Sequence, residues 1–185
     1  MKTDLAKYNN EWFKKEIGAS FLKQSIWYYI NVFFLKGSLV ASSSVRVGFL
    51  RLFGAKIGNN VRIKPGVSVK YPWKLTVGKN TWIGEDVWID NLTDVIIGSN
   101  CCLSQGAMLL TGNHDFTSET FDLSVKKIVL EDGVWICAKS VVTPGAVCRS
   151  HSVLTTGSVG VKLLEAYGIY SGNPATLKKT RQITK

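Results

Sequence analysis

Three stretches of the chain begin alike at intervals of twenty residues: Ile57-Gly58-Asn59-Asn60, Val77-Gly78-Lys79-Asn80 and Ile97-Gly98-Ser99-Asn100. Within each, an aliphatic residue recurs every six positions, giving Ile57, Ile63, Val69, then Val77, Ile83, Ile89, then Ile97, Leu103, Leu109. After one interruption the register resumes as Leu130, Ile136, Val142, Cys148 and Leu154. A period of six fits neither the 3.6 of a helix nor the 2 of a plain strand. It fits a mainly β chain wound as a parallel β-helix, in which each hexapeptide repeat contributes one short strand and one turn. Three hexads close a triangular coil of about eighteen residues, and coils stack at roughly 4.8 Å. The aliphatic residue points inward, and the Gly or polar pair after it makes the corner. The twenty-residue spacing leaves two residues over, so one corner per coil is longer. Tyr71-Pro72-Trp73-Lys74 and Asn91-Leu92-Thr93-Asp94 fall at that corner in successive coils.

The pattern divides the chain into residues 1–50, an N-terminal amphipathic helical segment; 51–160, the β-helix with a loop at about 112–128; and 161–185, a C-terminal extension with a basic tail of Lys178, Lys179, Arg181 and Lys185. In the first segment Trp12, Phe13, Ile17, Phe21, Ile26, Trp27, Ile30, Phe33 and Phe34 have helical spacing. The apolar run Ser25 to Leu35 is too short to span a bilayer. Packing on the side or end of the β-helix accounts for it, and its Trp and Tyr beside lysines also suit peripheral contact with a membrane.

The formal net charge is +10. Such a balance suggests a polyanionic partner, but the basic residues are scattered and accompany no nucleic-acid motif, so nucleic acid is not expected. The four cysteines, Cys101, Cys102, Cys137 and Cys148, fall in or beside hexads without metal-ligand spacing. They read as reduced apolar fillers of a cytoplasmic protein, with Cys101 and Cys102 pointing to opposite faces of a strand. No charged, apolar and small-residue regions follow one another as in a signal peptide.

Chemistry concentrates at the break in the repeat. His114 follows Gly112 and Asn113 just after the last inward residue of its coil, and a neutral imidazole is well matched to general-base work near neutral pH. Asp115 or a backbone carbonyl can fix its tautomer. His151, the second and last histidine, sits at a corner inside a regular hexad and reads as structural. No Ser lies in a Gly-x-Ser-x-Gly elbow, and two histidines with dispersed cysteines do not make a zinc site; no metal is expected.

With the hexads, the Gly112-Asn113-His114-Asp115 loop and Val134-Trp135-Ile136-Cys137-Ala138 in view, the chain resembles the hexapeptide-repeat acyltransferases of the galactoside, maltose and chloramphenicol acetyltransferase superfamily. It is most similar to the acetyltransferases of colanic acid biosynthesis, through Leu50 to Gly58, Ile63-Lys64-Pro65, Lys70 to Leu75, Trp82 to Leu92 and Ile169 to Ala175. The resemblance runs from about residue 20 to the C-terminus. It implies a left-handed β-helix, against the usual crossover hand, and homotrimers with active sites between neighbouring prisms. It implies acetyl-CoA as co-substrate, with His114 deprotonating an acceptor hydroxyl that attacks the thioester directly. By the same resemblance Ala138, Thr156, Lys162 and Lys179 hold the cofactor; Cys137 replaces the usual glycine, and Thr176 stands where a basic residue is usual.

Glu85 and Asp90, in the coil before His114, are the candidate acceptor-binding residues. The expected function is therefore acetyl-CoA-dependent O-acetyl transfer to a sugar or lipid-linked glycan in exopolysaccharide assembly, in the cytoplasm or peripherally at the inner face of the membrane. The alternatives are N-acetyl transfer to an amino sugar and a non-catalytic trimeric β-helix scaffold. A γ-class carbonic anhydrase needs three zinc histidines and fails on the count.

Overall fold

A computed structural model describes residues 2–37, 39–40 and 42–184; Lys185, the end of the basic tail, lies outside the described residues. The hexads form a left-handed parallel β-helix of six turns. Its first face stacks Lys56–Ile57, Leu75–Val77, Val95–Ile97, Ile128–Leu130, Val147–Cys148 and Leu163–Leu164. The second face runs from Arg62–Ile63 through Trp82–Ile83, Cys102–Leu103, Trp135–Ile136 and Val153–Leu154 to Gly168–Gly172, where Ala175–Thr180 folds back antiparallel. The third runs from Ser68–Val69 through Trp88–Asp90, Met108–Leu110 and Val141–Val142 to Val159–Gly160.

Every residue of the six-residue register is buried, from Ile57 through Leu154. A second inward column lies two positions earlier: Val61, Thr81, Cys101, Val134 and Ser152 behind the second face, and Val67, Val87, Ala107, Ser140 and Ser158 behind the third. Most of these are small, because they sit at the prism's edges where neighbouring faces converge and leave little room. Cys101 points in and Cys102 is half-buried on the outside, as adjacent strand residues must be.

The corner between the first and second faces needs left-handed backbone, and Asn60, Asn80 and Asn100 adopt it with φ of 57°, 57° and 56°. Asparagine tolerates that region better than most residues. Here it gains a ladder: Asn60 Nδ2 donates to Asn80 Oδ1 and Asn80 Nδ2 to Asn100 Oδ1. Gly133, His151 and Tyr167 continue the column in later coils, also at positive φ. His151 stacks on Tyr167 with ring centroids 4.9 Å apart, and a Cβ on Gly133 would lie 2.6 Å from the His151 ring.

The coil continues beyond residue 160 through Leu164 and Tyr170, so the sixth turn includes much of the C-terminal segment. The hexad pattern fades there because Gly160 occupies the inward position and the Leu154 and Leu164 side chains close over it.

The N-terminal segment closes the first end. Helix α1 is Glu11–Glu16, α2 is Phe21–Ile30, continued by π-helical Asn31–Lys36, and α3 is Ser43–Leu52. Trp27, Leu35, Val47 and Leu50 join the core of the first coil. That coil has a row of backbone groups with no preceding coil to pair with, and the helices supply the partners. Trp27 Nε1 donates to Val69 O at 2.9 Å, and Asn31 Oδ1 accepts from Val69 N. Ser43 Oγ accepts from Ile63 N, Arg46 donates to Ile63 O, and Arg51 donates to the carbonyls of Ile57 and Gly58. An exposed strand edge invites pairing with other chains, so this cap also keeps the end of the solenoid from propagating.

Candidate active site

The long corner between the third and first faces positions His114. Asn91 is wholly buried there; its Oδ1 accepts from Tyr71 N at 3.0 Å and its Nδ2 donates to Tyr71 O at 2.6 Å. One coil on, Thr111 takes the equivalent place and bonds to Asp90 O through both its amide and its hydroxyl. The chain then leaves the coil at Gly112, where a Cβ would lie 2.5 Å from Leu92 Cδ1, so a larger residue would have to displace that buried side chain. It forms an antiparallel hairpin of Gly112–His114 against Leu123–Val125 and returns at Ile128, whose amide bonds Asp94 O. Because the detour begins and ends at one corner, the stack above and below is undisturbed.

The hairpin orients the imidazole. His114 Nδ1 is 2.8 Å from the carbonyl oxygen of Phe121, and its ring stacks on the Phe121 ring at 4.3 Å with 5° between the planes. A carbonyl only accepts, so Nδ1 carries the hydrogen and the lone pair of the neutral ring resides on Nε2. Of the two expected ways to fix the tautomer, the backbone carbonyl is used. Asp115 instead accepts from the amide and hydroxyl of Thr117, which hold its carboxyl below the usual carboxylate range. Asp122 accepts from Ser118 and Thr120 across the same turn.

The N-terminal residues reach this hairpin as well. Asp4 N donates to Glu119 O, Lys7 pairs with Glu119 at 2.6 Å, and the Tyr8 ring lies 5.7 Å from that of His114.

His114 lines a cleft of about 710 Å³ whose other walls include Tyr8, Phe13, Lys14, Lys70 and Tyr71. Lys70 and Tyr71 also border an adjoining cleft of about 620 Å³ with Tyr28, Tyr29, Trp88 and Asp90. Asp90 pairs with Lys70 at 3.0 Å. Burial, and then the Asp90 charge, pushes the Tyr71 phenol up, so it stays protonated as a hydrogen-bond donor. Lys74, lowered by burial, is anchored to the carbonyls of Glu16 and Leu92.

The other candidate residues separate into groups. Asp90 lines the cleft that adjoins the one His114 lines, joined to it through Lys70 and Tyr71. Glu85 does not: it occupies the corner between the second and third faces, in a groove with Arg62, Trp82 and Gln105. Ala138 and Thr156 lie along that same corner one coil apart, with Gly157 N donating to Ala138 O at 3.0 Å. Lys162 lies at the His114 corner two coils on, and Lys179 is in the antiparallel strand that ends the second face. Within one chain, then, His114 and the pair Ala138 and Thr156 occupy different edges of the prism. Sequence reasoning missed Tyr8 and Lys14 as neighbours of His114, because their approach depends on how the N-terminal segment lies against the coils, and it missed Lys70 and Tyr71, which stand at the same corner two coils earlier. Among the described residues no three His, Cys, Asp or Glu side chains come together in a metal-binding arrangement.

No family model matches the chain. A protein of Escherichia coli (strain K12) named as a colanic acid biosynthesis acetyltransferase, WcaF, is 35% identical over 168 residues, 91% of this chain and 92% of that protein. The hexapeptide-repeat acetyltransferase VCA0836 from Vibrio cholerae O1 biovar eltor, complexed with acetyl coenzyme A, has a TM-score of 0.80 at 20% identity, covering 90% of this chain and 92% of that one. A galactoside acetyltransferase in complex with coenzyme A has a TM-score of 0.76 at 20% identity, covering 92% and 83%. The structural matches show the fold, and the sequence match, running over nearly the whole of both proteins, shows the kinship: this chain belongs to the hexapeptide-repeat acetyltransferases.

Proposed function

We propose that the protein transfers an acetyl group from acetyl-CoA to a hydroxyl of a sugar during exopolysaccharide or related glycan assembly, with His114 as general base. The observation that carries this reading is the Nδ1 hydrogen bond to Phe121 O, which leaves Nε2 basic on the wall of a cleft. In the reaction Nε2 takes the hydroxyl proton as the oxygen attacks the thioester carbonyl. The carbon–sulfur bond breaks as the tetrahedral oxyanion collapses, and the proton passes to the departing CoA thiolate. Backbone N–H groups of a coil are suited to stabilise the oxyanion. Asp90, the protonated Tyr71 phenol and Lys70 are placed to bind acceptor hydroxyls, and Tyr28, Tyr29 and Trp88 offer flat apolar surface for a sugar ring. Glu85 lies away from these residues and would reach an acceptor only from a neighbouring subunit.

The cofactor assignment is Ala138 and Thr156 beside the pantetheine arm, with Lys162 and Lys179 meeting its phosphates. The separation of Ala138 and Thr156 from His114 within one chain supports a homotrimer in which base and pantetheine site come from neighbouring subunits. The acceptor in this reading is a sugar or lipid-linked glycan, and the protein is cytoplasmic or peripheral at the inner face of the membrane.

The test is release of CoA from acetyl-CoA in the presence of free, nucleotide-linked and lipid-linked sugars, followed by hydroxylamine treatment of the product. An ester is cleaved and an amide survives. Hydroxylamine-resistant product would replace this reading with N-acetyl transfer, and absence of acetyl-CoA binding would leave a trimeric scaffold.

A further inference from the structure

The positive charge is not scattered after all. Between Ile17 and Gly84 lie ten of the 23 basic residues and none of the 13 acidic ones. Elsewhere the remaining thirteen basic residues are matched by thirteen acidic ones, so the whole net charge of +10 resides in that stretch. It comprises α2, its π-helical extension, α3, the first coil and the start of the second; Arg46 is buried and Lys70 pairs with Asp90, so the positive charge this end exposes is that of Lys36, Arg51, Lys56, Arg62, Lys64 and Lys79.

The same end is apolar on its outer surface. Trp27, Asn31 and Leu35 turn α2 and its extension toward the first coil. On the opposite side Leu22, Ile26 and Phe33 form a stripe at helical spacing, and all are exposed, Leu22 at 68%. Leu39, Val45 and Leu52 add to it from the segment around α3, Leu52 at 75%. A helix apolar on both sides needs cover on both. Exposed Lys36 ends the π-helix, and exposed Lys56 opens the first strand of the β-helix.

We infer that this end of the molecule docks peripherally on a bilayer containing anionic phospholipid. Aliphatic and aromatic side chains enter the headgroup boundary while the exposed lysines, Lys36 and Lys56 among them, meet lipid phosphates. A symmetric contact with a second copy would set net positive charge against itself. Nucleic acid would leave Leu22, Ile26, Leu39, Val45 and Leu52 without partners, since aliphatic side chains do not stack on bases. No helix among the described residues is long and apolar enough to cross a membrane, which fits docking on the surface. The inference rests on the acetyl-transfer reading only for its purpose, that of bringing the clefts to membrane-borne acceptors.

Co-sedimentation of the full chain with vesicles of phosphatidylcholine, or of phosphatidylcholine doped with phosphatidylglycerol, tests it. The protein should follow the anionic vesicles and not the neutral ones, and release as salt rises toward ~1 M, where screening shortens to about 3 Å. Lys36→Glu with Lys56→Glu should lower partitioning by roughly fivefold or more per lysine. Ile26→Ser with Phe33→Ser should lower it too, each variant keeping wild-type acetyl-CoA affinity and oligomeric mass. Equal sedimentation with both vesicle types, or none with either, would overturn the inference, as would variants that sediment like wild type. A change of oligomeric mass in the Ile26→Ser/Phe33→Ser variant would assign the stripe to a subunit contact instead. Loss of acetyl transfer with vesicle binding intact would count against the catalytic reading and leave docking standing.

Discussion

Replacing Asn91 by leucine tests how the long corner is held. The Asn91 side chain is fully buried and pairs with both backbone groups of Tyr71, at 3.0 Å and 2.6 Å. Leucine nearly fills the same space, keeps water out, and offers neither donor nor acceptor. Each buried polar group left unpaired costs about 1–3 kcal/mol, so the two together cost about 2–6 kcal/mol. With a urea dependence of about 3 kcal/mol/M, the unfolding midpoint should fall by roughly 0.7–2 M. The comparison is made by circular dichroism at one protein concentration, because association shifts apparent stability.

Asn91→Asp adds a sign. An ionised carboxylate accepts from Tyr71 N but repels Tyr71 O, whereas the protonated acid satisfies both. Folding therefore raises the pKa of the introduced carboxyl above its unfolded value of about 3.9. The native state then holds a proton that the unfolded chain releases, so the deficit relative to wild type is smallest below that value and grows as pH climbs toward the raised folded pKa. A leucine variant that melts within about 0.3 M of wild type, or an aspartate variant whose deficit shrinks with rising pH, would refute the reasoning.

The asparagine ladder makes a second expectation. Asn60 holds φ 57° at an exposed corner, so Asn60→Ala should cost about 1–2 kcal/mol while Asn60→Gly stays within about 0.5 kcal/mol. Equal urea midpoints for the two would contradict a conformational origin. The thiols make a third: burial pushes Cys148 up to about 12 and Cys101 up to about 11. Native protein treated with iodoacetamide at about pH 8 should leave both unmodified by mass spectrometry, and unfolded protein should react at all four cysteines. Rapid native alkylation of Cys148 would show that the core opens far more readily than its packing implies.

The six-residue period alone located the inward residues Ile57 to Leu154, because a β-helix core is a single column repeated by translation. The second inward column was less legible, since Thr81, Cys101, Ser140 and Ser158 are chosen for size rather than hydrophobicity. The break after Leu109 marked His114, but not what fixes its tautomer. Phe121 O comes close only because the hairpin pairs His114 with Leu123, and no residue type in the sequence signals a backbone acceptor. The sequence pattern also grouped Glu85 with Asp90, five residues apart, although five residues carry the chain from one corner toward the next. The cap was visible as helical spacing from Trp12 to Phe34 within residues 1–50, whereas α3 and the roles of Trp27, Asn31, Ser43, Arg46 and Arg51 as partners of the first coil's backbone required the tertiary arrangement.

The central claim is that His114 acts as a base and not as a structural or cofactor-binding residue. The direct measurement pairs calorimetric titration of acetyl-CoA into wild type and His114→Ala with the rate of acetyl transfer to the best sugar acceptor. The account predicts acetyl-CoA affinities within about twofold of each other and a kcat lower by roughly a hundred- to ten-thousand-fold in the variant. Wild-type turnover in His114→Ala, or loss of acetyl-CoA binding as its main defect, would contradict it.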